Sequence, residues 1–471
     1  MHITTPDFVA NAQAALADKD LQEALANLRT GFIERRRAAI DRLPEFDALR
    51  DQARAIKDHV LANLDDYLMR FEARVVERGG HVHWCADAAE ARDTVLALCR
   101  AAGAKSVTKS KSMIAEEIAL NDHLEAHGIV PIETDLGEYI IQLAGEPPSH
   151  IIAPAVHKTK ESVAELFAEH HAQYGYGQRH EEAAALLEEA RQVLRAKYFE
   201  ADVGITGANF LVAENGAIVT VTNEGNAELT QILPDTHIVI TSLEKVVPTL
   251  EDATTILRVL ARSATGQEFS SYTTFSAGGR RDGDLDGPTD FHVVLLDNGR
   301  TKMLGTEFQD MLRCIRCGAC LNHCPIYSAV GGHAYGWVYS GPMGAVLAPQ
   351  LIGLETAGDL PNASTFCGRC EAVCPMGIPL PKMMRHWRER EFERHLQPPP
   401  QRLGLAIWSW FVRRPVAYRA VSRLAVWTLR LMGGRNRRIG RLPGAAGWTG
   451  GRDLPAPQGR GFHAAMAARK R

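Results

Sequence analysis

The chain has 471 residues, 45% apolar and 23% charged, with a formal net charge of −3. That length exceeds what one hydrophobic core serves, so two or three domains of an ordinary globular protein are expected. No uncharged apolar run approaches the roughly 18 residues of a spanning helix. The N-terminal Met1-His-Ile-Thr-Thr-Pro-Asp has no signal pattern, so a cytoplasmic location is expected.

Residues 7–75 read as helix, rich in Ala, Leu, Arg and Glu. Ile56, Val60, Leu64, Leu68 and Phe71 recur at three- and four-residue steps, and residues 1–73 form an expected N-terminal helical region. Arg35, Arg36 and Arg37 point in different directions on a helix and read as solvated surface. From about Arg74 short apolar runs alternate with helical segments, which predicts an α/β domain over 74–300 built on an open, mainly parallel sheet. Strands are expected at His81–Trp84, Ser106–Thr108, Ile129–Ile132, His150–Ala153, Val203–Thr206, Ala217–Val221, His237–Thr241 and Phe291–Leu295. Helices are expected at Ala88–Ala101, Met113–His127, Ser162–Glu169, Glu181–Ala196 and Leu250–Arg262.

His81, His83 and Cys85 share one strand face, but no fourth ligand is evident, so a half-buried strand is the better reading than a metal site. Cys99 reads as a small core residue. Thr108-Lys109-Ser110-Lys111-Ser112 follows a strand and opens a helix that Ser112 would cap. The plain reading is a capped helix with solvated lysines; the alternative is a carboxylate or phosphate site held by Lys109 and Lys111. Thr206–Asn209 and Thr222–Asn226 also follow strands, as turns or as polar walls of a pocket at the sheet's carboxyl edge. Asp282, Asp284 and Asp286 suggest a calcium loop, but no glutamate stands at its twelfth position.

Seven of the nine cysteines fall in one pattern. Cys314, Cys317, Cys320 and Cys324-Pro325 have the C-x2-C-x2-C-x3-C-P spacing that wraps a [4Fe–4S] cluster. After 41 residues, Cys367, Cys370 and Cys374-Pro375 repeat it, with Ser364 where the first cysteine would stand. The cysteine before proline serves the other cluster. Cys314, Cys317, Cys320 and Cys374 are therefore expected on cluster one, and Cys324, Cys367 and Cys370 on cluster two. Seven thiols in two interleaved sets fit zinc badly. The fourth corner of cluster two stays open: ligation by Ser364, another non-cysteine ligand, or a three-iron [3Fe–4S] cluster. Arg316 and Arg369 each precede a ligand cysteine, where positive charge would raise a cluster's potential, unless both are merely solvated. The insert, with helix expected at Leu347–Leu354 and Ile378–Arg394, favours a helical ferredoxin domain over 301–396.

Pro398-Pro399-Pro400 marks a break, and residues 397–471 form a basic, Trp-containing region. From Gln401 onward about fifteen Lys and Arg face one acid, Asp453. Leu403–Phe411 and Val421–Met432 read as amphipathic helices that pack on protein, with a peripheral contact to the inner membrane face as second reading. No nucleic-acid motif accompanies the charge. Gly433–Arg471 reads as an extended or partly disordered tail.

The TKSKS loop at 108–112, ITGANFLVAENG at 205–216, TNEGNAELTQ at 222–231 and CGRCEAVCPMGIPL at 367–380 together resemble the LutB family, the iron–sulfur subunits of L-lactate utilisation complexes. The resemblance runs over nearly the whole chain. It implies a LUD domain of NagB/CoA-transferase-like fold, a helical ferredoxin domain and a LutB-type C-terminal tail. It also implies seven cysteine ligands over two clusters, L-lactate oxidation to pyruvate that lets lactate serve as carbon source, and two partner subunits. Electron transfer to an unidentified acceptor is then the expected role, with no activity of the chain alone. In the alternative, the α/β domain binds lactate or another small carboxylate through Lys109 or Lys111, near the open corner of cluster two.

Overall fold

A computed structural model describes residues 3–459 and 461–469. The N-terminal region is helical, as its periodicity requires, but broken into Phe8–Ala17, Lys19–Leu28, Glu34–Asp41, Phe46–Ala62 and Leu64–Glu77, with a π-helical turn at Arg29–Ile33. In the last two helices Val60, Leu64, Leu68, Phe71 and Val75 form one apolar stripe. It packs on Val239, Phe291, Val293 and Leu295 of the sheet behind it.

Ten strands follow: β1 His81–Cys85, β2 Ser106–Lys109, β3 Val130–Glu133, β4 Val203–Gly207, β5 Phe210–Val212, β6 Ala217–Thr222, β7 Thr236–Ser242, β8 Val246–Val247, β9 Tyr272–Ser276 and β10 Asp290–Leu296. Six of them form a parallel sheet in the order β1-β10-β7-β4-β2-β3. Every residue of β7 is buried, the pattern of a central strand covered on both faces. A second sheet, β8-β5-β6-β9, is mixed: β6 runs antiparallel to β5 and β9, and β8 parallel to β5. Ala217–Val221 thus belongs to this smaller sheet, together with three short strands that the apolar pattern alone does not single out.

The expected strand at His150–Ala153 is a turn. His150 Nδ1 accepts from the amides of Ile152 and Ala153 at 3.0 and 3.1 Å, so the ring, not a neighbouring strand, satisfies that backbone. The expected helix Met113–His127 is two helices, 113–117 and 120–126, because Ala119 takes a left-handed φ of 51°. Ala88–Ala101 and Leu250–Ala264 begin at the side-chain caps Asp87 and Thr249, which accept the first free amides.

The cysteine-bearing region is made of short helices, the longest being Gly341–Leu351 and Leu380–Glu393. Trp387 anchors the second to the first by donating to Val346 O at 2.9 Å, and Phe308 stacks on its indole with ring centres 4.1 Å apart.

Residues 391–471 form a separate compact unit. Its helices Pro399–Val412 and Pro415–Met432 pack on each other, and Trp408, Trp410 and Trp427 stay exposed on them. The expected extended tail instead carries a two-strand ribbon, Arg438–Ile439 with Leu454–Pro455, and short helices at Ala446–Thr449 and Phe462–Arg469. Among the described residues no helix is long and apolar enough to cross a membrane.

Gly204, in β4, is where helix Asn226–Ile232 comes closest to the sheet: a Cβ there would lie 1.8 Å from Thr230 O. Backbone on both sides leaves no flexible group to yield. Gly204→Ala is therefore expected to destabilise the protein by about 3 kcal/mol, at the upper end for overpacking. Thermal unfolding checks it; an unchanged midpoint would show that this helix is free to move off the sheet.

Candidate metal centre and adjoining cleft

Both cysteine loops are built from the same backbone move. In the first, Arg316 and Gly318 take φ of 59° and 72° around Cys317; in the second, Phe366 and Gly368 take 52° and 78° around Cys367. Each loop then enters a one-turn helix, Ala319–Asn322 or Arg369–Ala372. A non-glycine left-handed residue costs on the order of 1 kcal/mol, so its repetition marks a backbone shape held for a purpose. The repeat sets Ser364 in register with Cys314.

The folded chain sorts the thiols into two cavities. Cys314, Cys317, Cys320 and Cys374 line one, with Met343, Met376 and Ile378 closing it. Cys324, Cys367 and Cys370 line the other, together with Ser364. In the first, Cys317 and Cys374 are buried and Cys314 and Cys320 half-buried. The second reaches the surface, where Cys367 and Phe366 are exposed. Ser364 Oγ accepts the amide of Phe366 at 3.2 Å and so acts as a turn residue as well as a wall.

The donor chemistry fits an iron–sulfur group. Burial pushes the Cys317 and Cys370 thiols up to about 12, with Cys374 and Cys324 respectively adding to it. Burial raises Cys320 further, reinforced by Cys314, Cys317 and Cys374. Clustered thiols of this kind become thiolates only against a cationic metal core, which is the ligand set iron–sulfur groups select.

Two arginines that the sequence reading left on the surface or passed over hold the second cysteine loop from the N-terminal helices. Arg36 Nη2 donates to Val373 O at 2.8 Å, and Arg50 Nη2 to Cys374 O at 2.8 Å. The reading of Arg35–Arg37 as solvated holds for Arg35 and Arg37, which are exposed, and fails for half-buried Arg36. Arg316 is 9% exposed, lies over the Tyr339 ring at 4.5 Å and pairs with Glu244 at 3.3 Å, whereas Arg369 is exposed. No sequence signal links Arg36 or Arg50 to residues more than 300 positions away.

A cleft of about 340 Å³ opens at the carboxyl edge of the parallel sheet, where such sheets bind ligands. The loops after β2, β4 and β6 all line it, including Ser112, Asn209 and Asn223. Lys109 does not. It is fully buried and paired at 2.7 Å with both Glu116 and Glu133, which correct the reading of it as solvated and place it behind the cleft wall. Lys111 does line the cleft, with Nζ donating to Ile152 O at 2.6 Å. The cleft shares Ile151 and Arg316 with the four-cysteine cavity and no residue with the three-cysteine cavity. A carboxylate here would therefore face the four-cysteine cavity, not the three-cysteine one. His81 and His83 sit against His292 of β10, with His83 Nε2 3.2 Å from His292 Nδ1, and among the described residues these three do not converge as metal ligands.

Below the cleft, Arg300 pairs with Glu117 at 2.9 and 2.5 Å and with Glu244 at 3.2 Å. Tyr339 and Asn298 donate to the same Glu117 at 2.5 and 2.7 Å. The Arg300 guanidinium and these donors hold the Glu117 carboxyl below its ordinary range despite full burial. Removing one partner of such a pair strands the other. Glu117→Ala is expected to cost about 3–5 kcal/mol, and Glu117→Gln, which keeps an acceptor for Arg300 and Tyr339, less. Urea unfolding of both variants decides it; a glutamine variant no more stable than the alanine one would rule out the lost acceptor as a cause.

Comparison with known proteins gives the same two parts. Residues 68–296 match the LUD domain and residues 310–378 the 4Fe-4S dicluster domain. Over 465 residues the chain is 42% identical to lactate utilization protein B of Geobacillus thermodenitrificans, covering 98% of this chain and 97% of that one. It is also 42% identical to the Anoxybacillus flavithermus protein of the same name, covering 98% of each. An uncharacterized electron transport protein of Escherichia coli, YkgF, is 39% identical over 97% of this chain and 95% of that one. A crystal structure of a DUF162 family protein from Deinococcus radiodurans aligns with 50% of this chain and 98% of that one at 16% identity and a TM-score of 0.28, too slight a likeness to argue from.

Proposed function

The chain belongs to the lactate utilization protein B family, an iron–sulfur protein of lactate utilization, and we propose that it is the electron-transfer subunit for oxidation of L-lactate to pyruvate. The observation that carries this is the sorting of seven cysteines into a four-cysteine cavity and a three-cysteine cavity, the latter reaching the surface at Cys367. Cys314, Cys317, Cys320 and Cys374 would hold one [4Fe–4S] cluster, and Cys324, Cys367 and Cys370 the other. The second takes its fourth ligand from Ser364 or another non-cysteine group, or carries three irons. When bound, such clusters supply reversible one-electron storage.

The chain's own residues grade the two cavities. Met343, Met376 and Ile378 keep water from the first, while Arg36, Arg50 and Arg316 set positive charge and N–H donors around its cysteines, which favours added negative charge there. Cys367 and Phe366 leave the second open at the face that a partner or acceptor would meet. The family name implies a complex with other Lut subunits; two of them, and an acceptor reached through this face, complete the reading. The exposed tryptophans on the basic helices of residues 391–471 suit a protein partner first and an anionic membrane surface second. The alternative role, in which the α/β domain takes the lactate carboxylate itself, is favoured by Lys111 in the cleft and moves the contact to cluster one.

Anaerobic reconstitution of the full chain tests the main reading. Two reducible centres are expected by EPR, with Cys320→Ser removing the signal of one and Cys370→Ser that of the other, and no lactate oxidation by the chain alone. A three-iron signal that disappears on adding ferrous iron would place the vacant corner at Ser364, and Ser364→Cys should abolish it. Lactate turnover by the isolated chain would reject the electron-transfer role.

A further inference from the structure

The interior around Glu244 holds more positive charge than its carboxylates match. Lys57, Lys245, Arg300 and Arg316 are each 9% exposed or less, and the buried carboxylates that pair with this group are Glu117 and Glu244. Arg300 is taken up by both. Lys57 Nζ donates to the carbonyls of Glu244 and Val246. Two cations are left over. Arg316 reaches Glu244 with Nη2 alone, and its Nε and Nη1 are buried without a partner. Lys245 is 6% exposed, and among the described residues its ammonium makes no hydrogen bond or ion pair, although Glu244 and Cys314 attract it from farther off.

Both leftover cations line the cleft, and Arg316 lines the four-cysteine cavity as well. Lys245 lies in the turn that directly follows β7, the fully buried central strand of the parallel sheet. Buried cations that outnumber the carboxylates around them are costly, so a negative charge from outside is the natural completion. Burial lowers the Lys245 ammonium to about 8, with Arg316 adding to it, and a bound anion would reverse both effects. Asp135 and Glu224 also line the cleft, which favours a ligand with one negative charge over a phosphate dianion. Ser112 and Asn209 add neutral groups suited to a second oxygen beside the carboxylate.

We propose that Lys245 and Arg316 form a binding site for a small monocarboxylate, a 2-hydroxy or 2-oxo acid, at the wall shared with the four-cysteine cavity, and that its occupancy lowers the midpoint potential of the group held there. The physical link is Arg316. An anion in the cleft beside Arg316 offsets the positive field that stabilises an added electron on the cysteine side. By reciprocity, reduction weakens binding of the acid by the factor that binding shifts reduction. Binding itself needs only residues of the α/β domain and Arg316; the potential shift rests on the assignment of Cys314, Cys317, Cys320 and Cys374 to a cluster.

The test uses the full chain, anaerobically reconstituted, with calorimetric titration of L-lactate, pyruvate and inorganic phosphate, and redox titration with and without saturating L-lactate. One site for lactate or pyruvate is expected. Lys245→Met should weaken it roughly tenfold to a hundredfold, the range for losing a charge-assisted hydrogen bond. Lys245→Arg, which keeps the charge, should hold the affinity within a few-fold and serves if the methionine variant misfolds. Ligand at a concentration that just saturates the wild type should lower the midpoint of one of its centres and shift that centre far less in Lys245→Met. No binding with both centres intact, equal affinity in Lys245→Met, or phosphate bound as tightly as the carboxylates would each overturn the site. Binding retained in a chain that loads no cluster through these cysteines would instead overturn the cluster assignment and leave the site standing.

Discussion

The Arg300 guanidinium is surrounded by carboxylates from two elements of the α/β domain, Glu117 of the helix after β2 and Glu244 of the turn after β7. Tyr339, from the insert between the two cysteine loops, reaches the same Glu117, and Arg316, from the first loop, reaches the same Glu244. One buried charge cluster thus fixes the cysteine region against the carboxyl edge of the sheet. A pair this deeply buried does little for net stability compared with an apolar equivalent, because desolvation offsets most of the attraction. What it supplies is position: only one docking of the two regions leaves no carboxylate stranded. The close approaches nearby serve the same end. Tyr327 donates to Ser149 O at 2.8 Å, and Gly332 lies so near that carbonyl that a Cβ would fall 1.6 Å from it.

The cysteine chemistry was legible in the sequence because it is local. Three thiols within seven residues reach one corner of space through a single loop, and the Cys-Pro repeat reports the exchange between loops. The replacement of a cysteine by Ser364 was equally plain, since the second loop copies the first residue by residue. The α/β pattern was also legible: β1, β2, β4, β7 and β10 lie within a residue or two of the apolar runs that announce them. The other strands of the smaller sheet are three or fewer residues long or carry mixed polar faces, so no periodicity had room to show.

Where the reading failed, the missing information was tertiary. Lys109 looked like a solvated lysine because its partners, Glu116 and Glu133, arrive from two other elements. Arg36 looked like one of three surface arginines, yet the helix that carries it lies against the second cysteine loop. A charged residue is assigned to solvent by default, and only the fold can supply the partners that make burial affordable. Lys245 and Arg316 are the opposite case: they are buried, and the fold does not complete their partners.

The misread segment at residues 150–153 shows how the cleft and the cysteine wall come to share a surface. An apolar run ending in proline has the look of a strand, but His150 is fully buried and its Nδ1 takes two backbone amides, turning the chain so that Ile151 faces both cavities. Nε2 then donates to Asn322 Oδ1 at 3.0 Å, in the one-turn helix that follows Cys317, and the ring packs on Gly318. This arrangement works only with a neutral ring, because a protonated Nδ1 would present a hydrogen to two others. Burial, with Lys111 adding to it, pushes His150 down to about 3, so the ring remains an acceptor throughout the physiological range. The histidine here is a structural turn residue whose two nitrogens bind the sheet's loop to the first cysteine loop, and Lys111, which helps keep it neutral, donates to Ile152 O in the same turn.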